Sequence, residues 1–545
     1  MRGSIMEFIF GTLATPELRQ LHHQIARLGV QHGREIAPLI PKPNTPITLF
    51  ATIGHDFSAR HVACYYTTDG SIPIGNRGVA QNGMVVQFQL DGYVWDSITW
   101  GYHARWTGHI PPQSDNTLIR YRIGAWTDDV HQPEIFADYP ELKATTERAA
   151  GAFFRGEPVP PLPPIGDSMG RIFTIHVSDM SAPEWAKSAI IYQIFVDRFY
   201  AGDGHAWLQT SDLRQPFGGT LWGVRDKMDY IADLGVNCIW LTPTFVSPSH
   251  HGYDIIDYFQ TEPRMGGDDA LRAVVESAHR RGIRVLLDLV CNHVSSQHPY
   301  FVDALNNPHS PYREWFVFDD SPEGYKTFFG SAAMPHINLQ IPTARDWMCS
   351  VGQYWLREFD IDGYRLDHAN GPGADFWVDF RLACRAIKPD VFCFGEVVEA
   401  PNILRSYVGG LDGVLDFHIE DMLRRTYATG ATTEAEFAEF LARHYAYFPD
   451  EFILPTFFDN HDMNRFLFAV KGDKSKLMRV AQAQFALPHP PIIYYGTEVG
   501  LSQNNGAHEG VGLDESRLPM LWGDDQDAEL LAFYKALIRK RREHI

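Results

Sequence analysis

From residue 186 onward, short apolar runs alternate with amphipathic helical stretches, and no other feature narrows the fold as far. Eight runs carry the pattern: "AIIYQIFV", "CIWLTP", "RVLLDLVC", "DGYRLD", "VFCFGEV", "GVLDFHI", "ILPTFFDN" and "PIIYYGT". The stretches between them include "LWGVRDKMDYIADLG", "DDALRAVVESAHRRG", "ARDWMCSVGQYWLREF" and "EAEFAEFLARHYAYF", with apolar residues at helical spacing. Eight apolar β segments, each followed by a helical one, are what a parallel (β/α)8 barrel requires. An open doubly wound sheet would instead need a glycine-rich phosphate turn after the first strand. "VDRFYAGDG" is not one. The expected fold is α/β, a (β/α)8 TIM barrel over residues 183–545. One connection breaks the rhythm. Residues 294–342, between the third strand and its helix, are too long and irregular for a βα loop, and such loops usually carry function.

The chain before the barrel has a different texture. Residues 1–44 hold one helical pattern, "TPELRQLHHQIARLG", followed by the proline-rich "PLIPKPNTP". Over 45–130 the runs are short and alternating, as in "ITLFATIG", "HVACYYTTDG" and "TLIRYRIGAW", with turn residues between them. That pattern predicts an all-β sandwich. Residues 131–182 contain "GEPVPPLPPIG" and are expected to be a stiff linker. The aromatic residues of the sandwich are assigned mostly to core packing.

Charge and composition exclude several partners. The net charge is −20, and phosphate-backbone binding needs clustered Lys and Arg, so nucleic acid is not an expected partner. No apolar run approaches the ~18–20 residues that span a bilayer. The N-terminus lacks a secretory h-region with a cleavage site. The six cysteines are scattered without a C-x-x-C pair, which fits buried free thiols and a cytoplasmic protein.

In a (β/α)8 barrel the chemistry sits at the C-terminal ends of the strands. The third run ends with Asp288, Asn292 and His293, and the fourth with Arg365 and Asp367. Glu396 ends the fifth, and "FFDNHD" at the seventh supplies Asp459, His461 and Asp462. The second leads to "HGYD", residues 251–254. Singly, each carboxylate reads as a helix cap or turn residue, and the charge pair as a structural one. Their convergence on one rim favours function. Two carboxylates, one ionised and one protonated, are what glycoside hydrolysis needs. Arg365 shares a strand face with Asp367 and is expected to lower its pKa, which suits a nucleophile. Glu396, with apolar neighbours, suits the general acid. Asp462, His293 and His461 can bind sugar hydroxyls, and Tyr253 can offer the ring an aromatic platform.

These segments resemble the signature regions of the α-amylase family, glycoside hydrolase family 13. "DLVCNH" is similar to D-x-V-x-N-H, "GYRLDHA" to G-x-R-x-D, "GEVVE" to the acid/base region and "FFDNHD" to the final N-H-D region. The resemblance implies a retaining enzyme that cleaves α-glucosidic bonds through a covalent glucosyl-enzyme. Asp367 would be the nucleophile, Glu396 the acid/base and Asp462 the transition-state stabiliser. His293, Arg365, His461, Tyr253 and Asp254 would line the sugar subsite, joined by Arg517 of "LDESRLPMLW". Residues 294–342 would be the family's domain B. The β-domain before the barrel, "PEWAKSAIIYQIFVDRF" and "MPHINLQ" resemble the neopullulanase, cyclomaltodextrinase and maltogenic amylase group, which commonly forms homodimers. That group usually reads V-A-N-E after its nucleophile, where this chain has His368, Ala369, Asn370 and Gly371. Calcium-dependent relatives carry Lys-His at the last two positions. Asn292 therefore remains as a candidate ligand for a structural calcium, and the chemistry itself requires no cofactor. Val398 replaces an aromatic residue common in the group. The family usually carries a C-terminal β-sandwich after the barrel, and none is expected within the residues up to 545, whether the protein lacks it or the sequence is a piece of a longer one. The expected substrate is an α-1,4-glucan, maltooligosaccharide or cyclodextrin, with α-1,6 bonds as a further target. A glucanotransferase or α-glucosidase on the same scaffold is the alternative, and a non-catalytic glucan-binding protein the remote one.

Overall fold

A computed structural model describes residues 29–96, 101–137, 170–319, 321–507 and 509–543. The helix expected from "TPELRQLHHQIARLG", but for its last residue, and the proline-rich "GEPVPPLPPIG" lie outside them. The chain divides into two compact units, residues 1–180 with 401–410, and residues 181–400 with 411–545.

The first unit contains two five-stranded sheets whose principal pairings are antiparallel. In one, Ile47–Ile53 pairs with Gly101–Ile110, and in the other His61–Thr67 pairs with Thr117–Trp126. Ile47, Leu49, Ala51 and Ile53 are buried in strict alternation, and they share a core with Val62, Cys64, Ile119, Tyr121 and Ile123 of the second sheet. A strand with one buried face produces that period of two. The sheets reach beyond the expected boundaries of 45 and 130. Val30–Gln31 pairs with Ile53 and Thr52, and Phe173–Val177 pairs with Thr117–Tyr121 inside the segment expected to be linker. Phe173, Ile175 and Val177 are buried, so "FTIHV" carries a strand's alternation that its irregular surroundings obscure.

The second unit is the barrel. Its parallel sheet contains β1 (Ile191–Ile194), β2 (Cys238–Leu241), β3 (Arg284–Val290), β4 (Gly363–Asp367), β5 (Phe392–Gly395), β6 (Gly413–Val414) and β7 (Ile492–Tyr494). The spatial order is β6-β5-β4-β3-β2-β1-β7. The remaining stave, residues 453–456, forms only parallel bridges, Ile453 with Gly413 and Thr456 with Pro491. Val414 N donates to Ile453 O (3.1 Å) and Ile492 N to Thr456 O (2.8 Å), which closes the ring. Pro455 in this stave has no N–H to give a ladder, which accounts for bridges in place of the expected continuous strand. Ile191, Trp240, Leu286, Phe392, Phe394, Leu415, Ile453 and Ile492 contribute to one core cluster.

The expected helices form, with capping that their sequences explain. Glu434–Tyr447 opens on a Thr433/Glu436 capping box, and Lys474–Phe485 on the Asp473 carboxylate. "LWGVRDKMDYIADLG" breaks at Lys227 into Leu221–Asp226 and Met228–Leu234. Between β3 and the helix Pro342–Phe359, the long connection contains a helix, Pro299–Asn306, and a hairpin of Thr327–Phe328 with Ser331–Pro335.

Barrel closure depends on a close backbone approach. A Cβ on Gly413 would lie 2.0 Å from the Ile453 carbonyl oxygen. Gly413→Ala should therefore destabilise the barrel by about 1–3 kcal/mol, the usual cost of overpacking. Thermal or urea unfolding measures this, and an unchanged midpoint would contradict the closure described.

Candidate active site

Register brings the site together. Asp288 on β3 pairs with Arg365 on β4, and Val290 with Asp367. Because strand side chains alternate, Arg365 and Asp367 share a face and Asp288 lies beside them. On the other side Leu366 pairs with Gly395, which delivers Glu396 one residue later. Arg365 is fully buried. Its Nη1 donates to Asp288 Oδ1 (2.7 Å) and Asp367 Oδ1 (2.8 Å), and its Nη2 lies 2.8 Å from Glu396 Oε2. One guanidinium thus holds three carboxylates. Glu396 also accepts from the His368 backbone N–H (3.1 Å).

The fourth carboxylate has other partners. Asp462 is 2.9 Å from His461 Nε2 and accepts from Arg517 Nη2 at 2.9 Å. Arg517 also donates through Nε to the His461 carbonyl (2.9 Å). His461 has a fixed tautomer: Gln193 Nε2 donates to its Nδ1 (2.7 Å), so its Nε2 carries the proton toward Asp462 and the Tyr253 hydroxyl (2.6 Å). Tyr253 in turn donates to Asp288 Oδ2 (2.9 Å), which Trp240 Nε1 also reaches (3.0 Å). The network is continuous from Gln193 to Arg365.

These partners set the titration of the carboxylates. Burial raises the Asp367 pKa, Arg365 opposes it, and the Asp462 charge adds to the rise. Arg365 lowers the Asp367 pKa as expected, but desolvation outweighs a guanidinium divided among three carboxylates, so the expected net depression is corrected to a net rise. Burial likewise raises Glu396, Arg365 opposes this, and the charges of Asp367 and Asp462 push it further up. Asp462 goes the other way. Burial opposes its ionisation, but His461 and Arg517 hold it well below the usual carboxylate range. Burial raises Asp288 as well, against Arg365, so the arrangement provides one firmly ionised carboxylate beside three that retain protons more readily.

The remaining expected residues are placed as follows. His293 is fully buried, and burial pushes its pKa down to about 3, so it is a neutral hydrogen-bonding group. Its Nε2 donates to the Tyr253 carbonyl (3.0 Å), while Asn292 Nδ2 donates to its Nδ1 (3.1 Å). Tyr253 joins through its hydroxyl, and its ring is stacked near-parallel to His461 at 5.4 Å. Asp254 does not join the cluster. It accepts from Ser247 Oγ (2.7 Å) and from Ser249 Oγ, and so staples its own loop. Asp459 accepts from Phe466 N (3.0 Å) and is likewise a loop staple.

Asn292 is the residue expected as a candidate calcium ligand. Calcium takes about 6–8 oxygen ligands. Among the described residues no group of three or more His, Cys, Asp or Glu side chains could hold a metal ion. Among the described residues Asn292 Oδ1 has no hydrogen-bond partner, and it packs on Gly371, where a Cβ would lie only 1.7 Å away.

Sequence reading missed Gln193, Trp240 and Phe328. Gln193 was detectable as the lone amide in a buried apolar strand. Phe328, from the hairpin after β3, stacks on His293 at 4.5 Å, a contact that only the folded connection creates.

Known proteins share this arrangement of sequence and fold. The family described as "Alpha amylase, catalytic domain" matches residues 193–540. "Alpha-amylase 2" of Dictyoglomus thermophilum is 41% identical over 540 residues, covering 98% of this chain and 86% of that protein. The "Intracellular maltogenic amylase" of Bacillus subtilis is 34% identical over 387 residues, 68% of this chain and 64% of that protein. A solved cyclomaltodextrinase superimposes with a TM-score of 0.63 at 27% identity, covering 95% of this chain and 85% of that one. A barrel rim with three carboxylates on one guanidinium, a family match over residues 193–540 and a relative 41% identical along 98% of the chain place the protein in the α-amylase family of glycoside hydrolases.

Proposed function

We propose that the protein is a retaining hydrolase of α-1,4-glucosidic bonds in glucans, maltooligosaccharides or cyclodextrins, with α-1,6 bonds as a secondary target. The observation that carries the reading is the sharing of Arg365 by Asp367 and Glu396. Carboxylates held by one guanidinium lie close together, as the ~5–5.5 Å separation in retaining glycosidases demands. Asp367 attacks the anomeric carbon. Glu396 protonates the leaving oxygen, then takes a proton from the water that releases the sugar. Asp462 stays ionised and stabilises the cationic transition state. Arg517, His461, His293 and Tyr253 orient the sugar. The reaction as proposed asks for no metal.

Residues 294–342, whose hairpin carries Phe328 to His293, act as the family's domain B and wall one side of the cleft. A cytoplasmic location is supported by the relative named as intracellular, and no helix among the described residues is long and apolar enough to cross a membrane. A homodimer is the proposed assembly. Transfer to a sugar acceptor, the alternative outcome, uses the same glycosyl-enzyme.

Two experiments test this reading. The protein should release oligosaccharides from starch, pullulan or cyclodextrin, and Asp367→Asn should lower kcat by at least about a thousand-fold. This loss is of the size seen when a covalent nucleophile is removed. Undiminished turnover in the variant would reject the assigned nucleophile, and inactivity of the wild type on every α-glucoside would reject the reading. The second concerns pH. Activity needs Asp367 ionised and Glu396 protonated, and both pKa values are raised by burial, so both limbs of the kcat/KM profile should lie above ordinary carboxylate values. Asp462→Asn removes a charge that raises Glu396, so the alkaline limb of its residual activity should move to lower pH. A stationary limb would detach Asp462 from the titration of Glu396.

A further inference from the structure

Arg517 must be held in place if it is to hold Asp462, and the segment that carries it has little structure of its own. Gly512–Ser516 is a short 3-10 helix, and Arg517 follows it. Two arginines from elsewhere in the barrel, both fully buried, reach this segment from separate directions. Arg465 Nε donates to the Ser516 carbonyl (2.9 Å), and Arg198 Nη1 donates to the Arg517 carbonyl (3.1 Å). Two consecutive carbonyls are thus gripped by two buried cations.

Each cation is itself tightly fixed. Arg198 pairs with Asp197 (2.8 Å), donates through Nη2 to the carbonyls of Leu213 (2.6 Å) and Gln215 (3.2 Å), and packs 4.2 Å over the Phe217 ring. Its own carbonyl accepts from Met520 N at 2.8 Å, a second tie to the segment beyond Arg517. Arg465 donates to the Tyr495 carbonyl (2.9 Å) and lies 4.1 Å over Tyr494. Its backbone N–H donates to Gln503 Oε1 (2.7 Å). A planar fork can serve several carbonyls at once in a way that a lysine ammonium cannot.

We propose that Arg198 and Arg465 are positioning residues for the reaction, a double clamp on Ser516 and Arg517 that aims the Arg517 guanidinium at Asp462. Neither side chain is required to meet substrate. With the clamp intact, Arg517 makes three directed contacts, to Asp462, to the His461 carbonyl and to Asp514 (3.2 Å). Loosening either grip lets these contacts drift together. Misplacement of about 1 Å at a catalytic group can cost on the order of a hundred-fold in rate.

The inference rests on the hydrolase reading, and a double-mutant cycle tests it separately. Arg198→Lys and Arg465→Lys keep the buried charge but lose the fork. Each should lower kcat on a maltooligosaccharide about ten- to hundred-fold with little change in KM. In an Arg517→Ala background the same substitutions should lower residual kcat less than about two-fold, because a residue acting through Arg517 has nothing left to position. Equal losses in both backgrounds, or full activity in either lysine variant, would overturn the clamp while leaving the hydrolase reading intact. Unfolding of both lysine variants would also overturn it, by showing that the guanidiniums hold the barrel and not the arginine. An inactive wild type would instead be the failure of the hydrolase reading.

Discussion

The buried guanidinium of Arg365 is the interaction on which the site depends. Placing a cation in the interior costs several kcal/mol of hydration, and only close counter-charges with good geometry offset it. Asp288 and Asp367 supply them at 2.7 and 2.8 Å, with Glu396 also at 2.8 Å. The dependence is mutual. Without Arg365 two buried carboxylates and the half-buried Glu396 would face one another across adjacent strands and would retain protons to avoid repulsion. The strand register therefore has a chemical consequence, since a slip of one residue in β4 would turn Arg365 and Asp367 away from the barrel axis.

The parallel sheet was legible because its strands are continuous apolar runs, and the rim was legible because polar residues end those runs. Asp367 and Arg365 could be placed on one face from their spacing alone. The link between Glu396 and Arg365 could not, because it depends on the pairing of β4 with β5 and on the position of Glu396 one residue past the strand. For the same reason the direction of the Asp367 shift was misjudged. A guanidinium two residues away looks like a dedicated partner in sequence, whereas in the fold it is divided among three. The stave at 453–456 was expected as a strand although Pro455 had already signalled a broken ladder. Arg198 and Arg465 gave no signal at all, since an arginine buried against carbonyls reads no differently in sequence from a solvated one.

Asn292 shows how a motif can survive while its environment changes. In sequence it stood as a candidate metal ligand. In the fold its amide nitrogen fixes the tautomer of His293, and its oxygen presses on Gly371. The glycine is what makes that packing sterically feasible, so the two positions form one unit, and the sequence difference after the nucleophile carries a structural meaning that a ligand count would miss.

The rim also carries an uneven charge, and the unevenness matches the proposed chemistry. Four carboxyl groups, Asp288, Asp367, Glu396 and Asp462, face two guanidiniums, Arg365 and Arg517. Their pKa values separate through their partners. Asp462 has a cation and a histidine largely to itself and ionises first, while Asp288, Asp367 and Glu396 divide Arg365 and stay high. Unequal environments of this kind assign acid and base roles to chemically similar groups. As Asp367 gives up its proton the excess of negative charge grows, in a water-poor site where charge interactions are strong. A sugar that becomes cationic at its anomeric carbon would relieve that excess, so the same burial that raises the two carboxylates also favours the transition state they are proposed to serve.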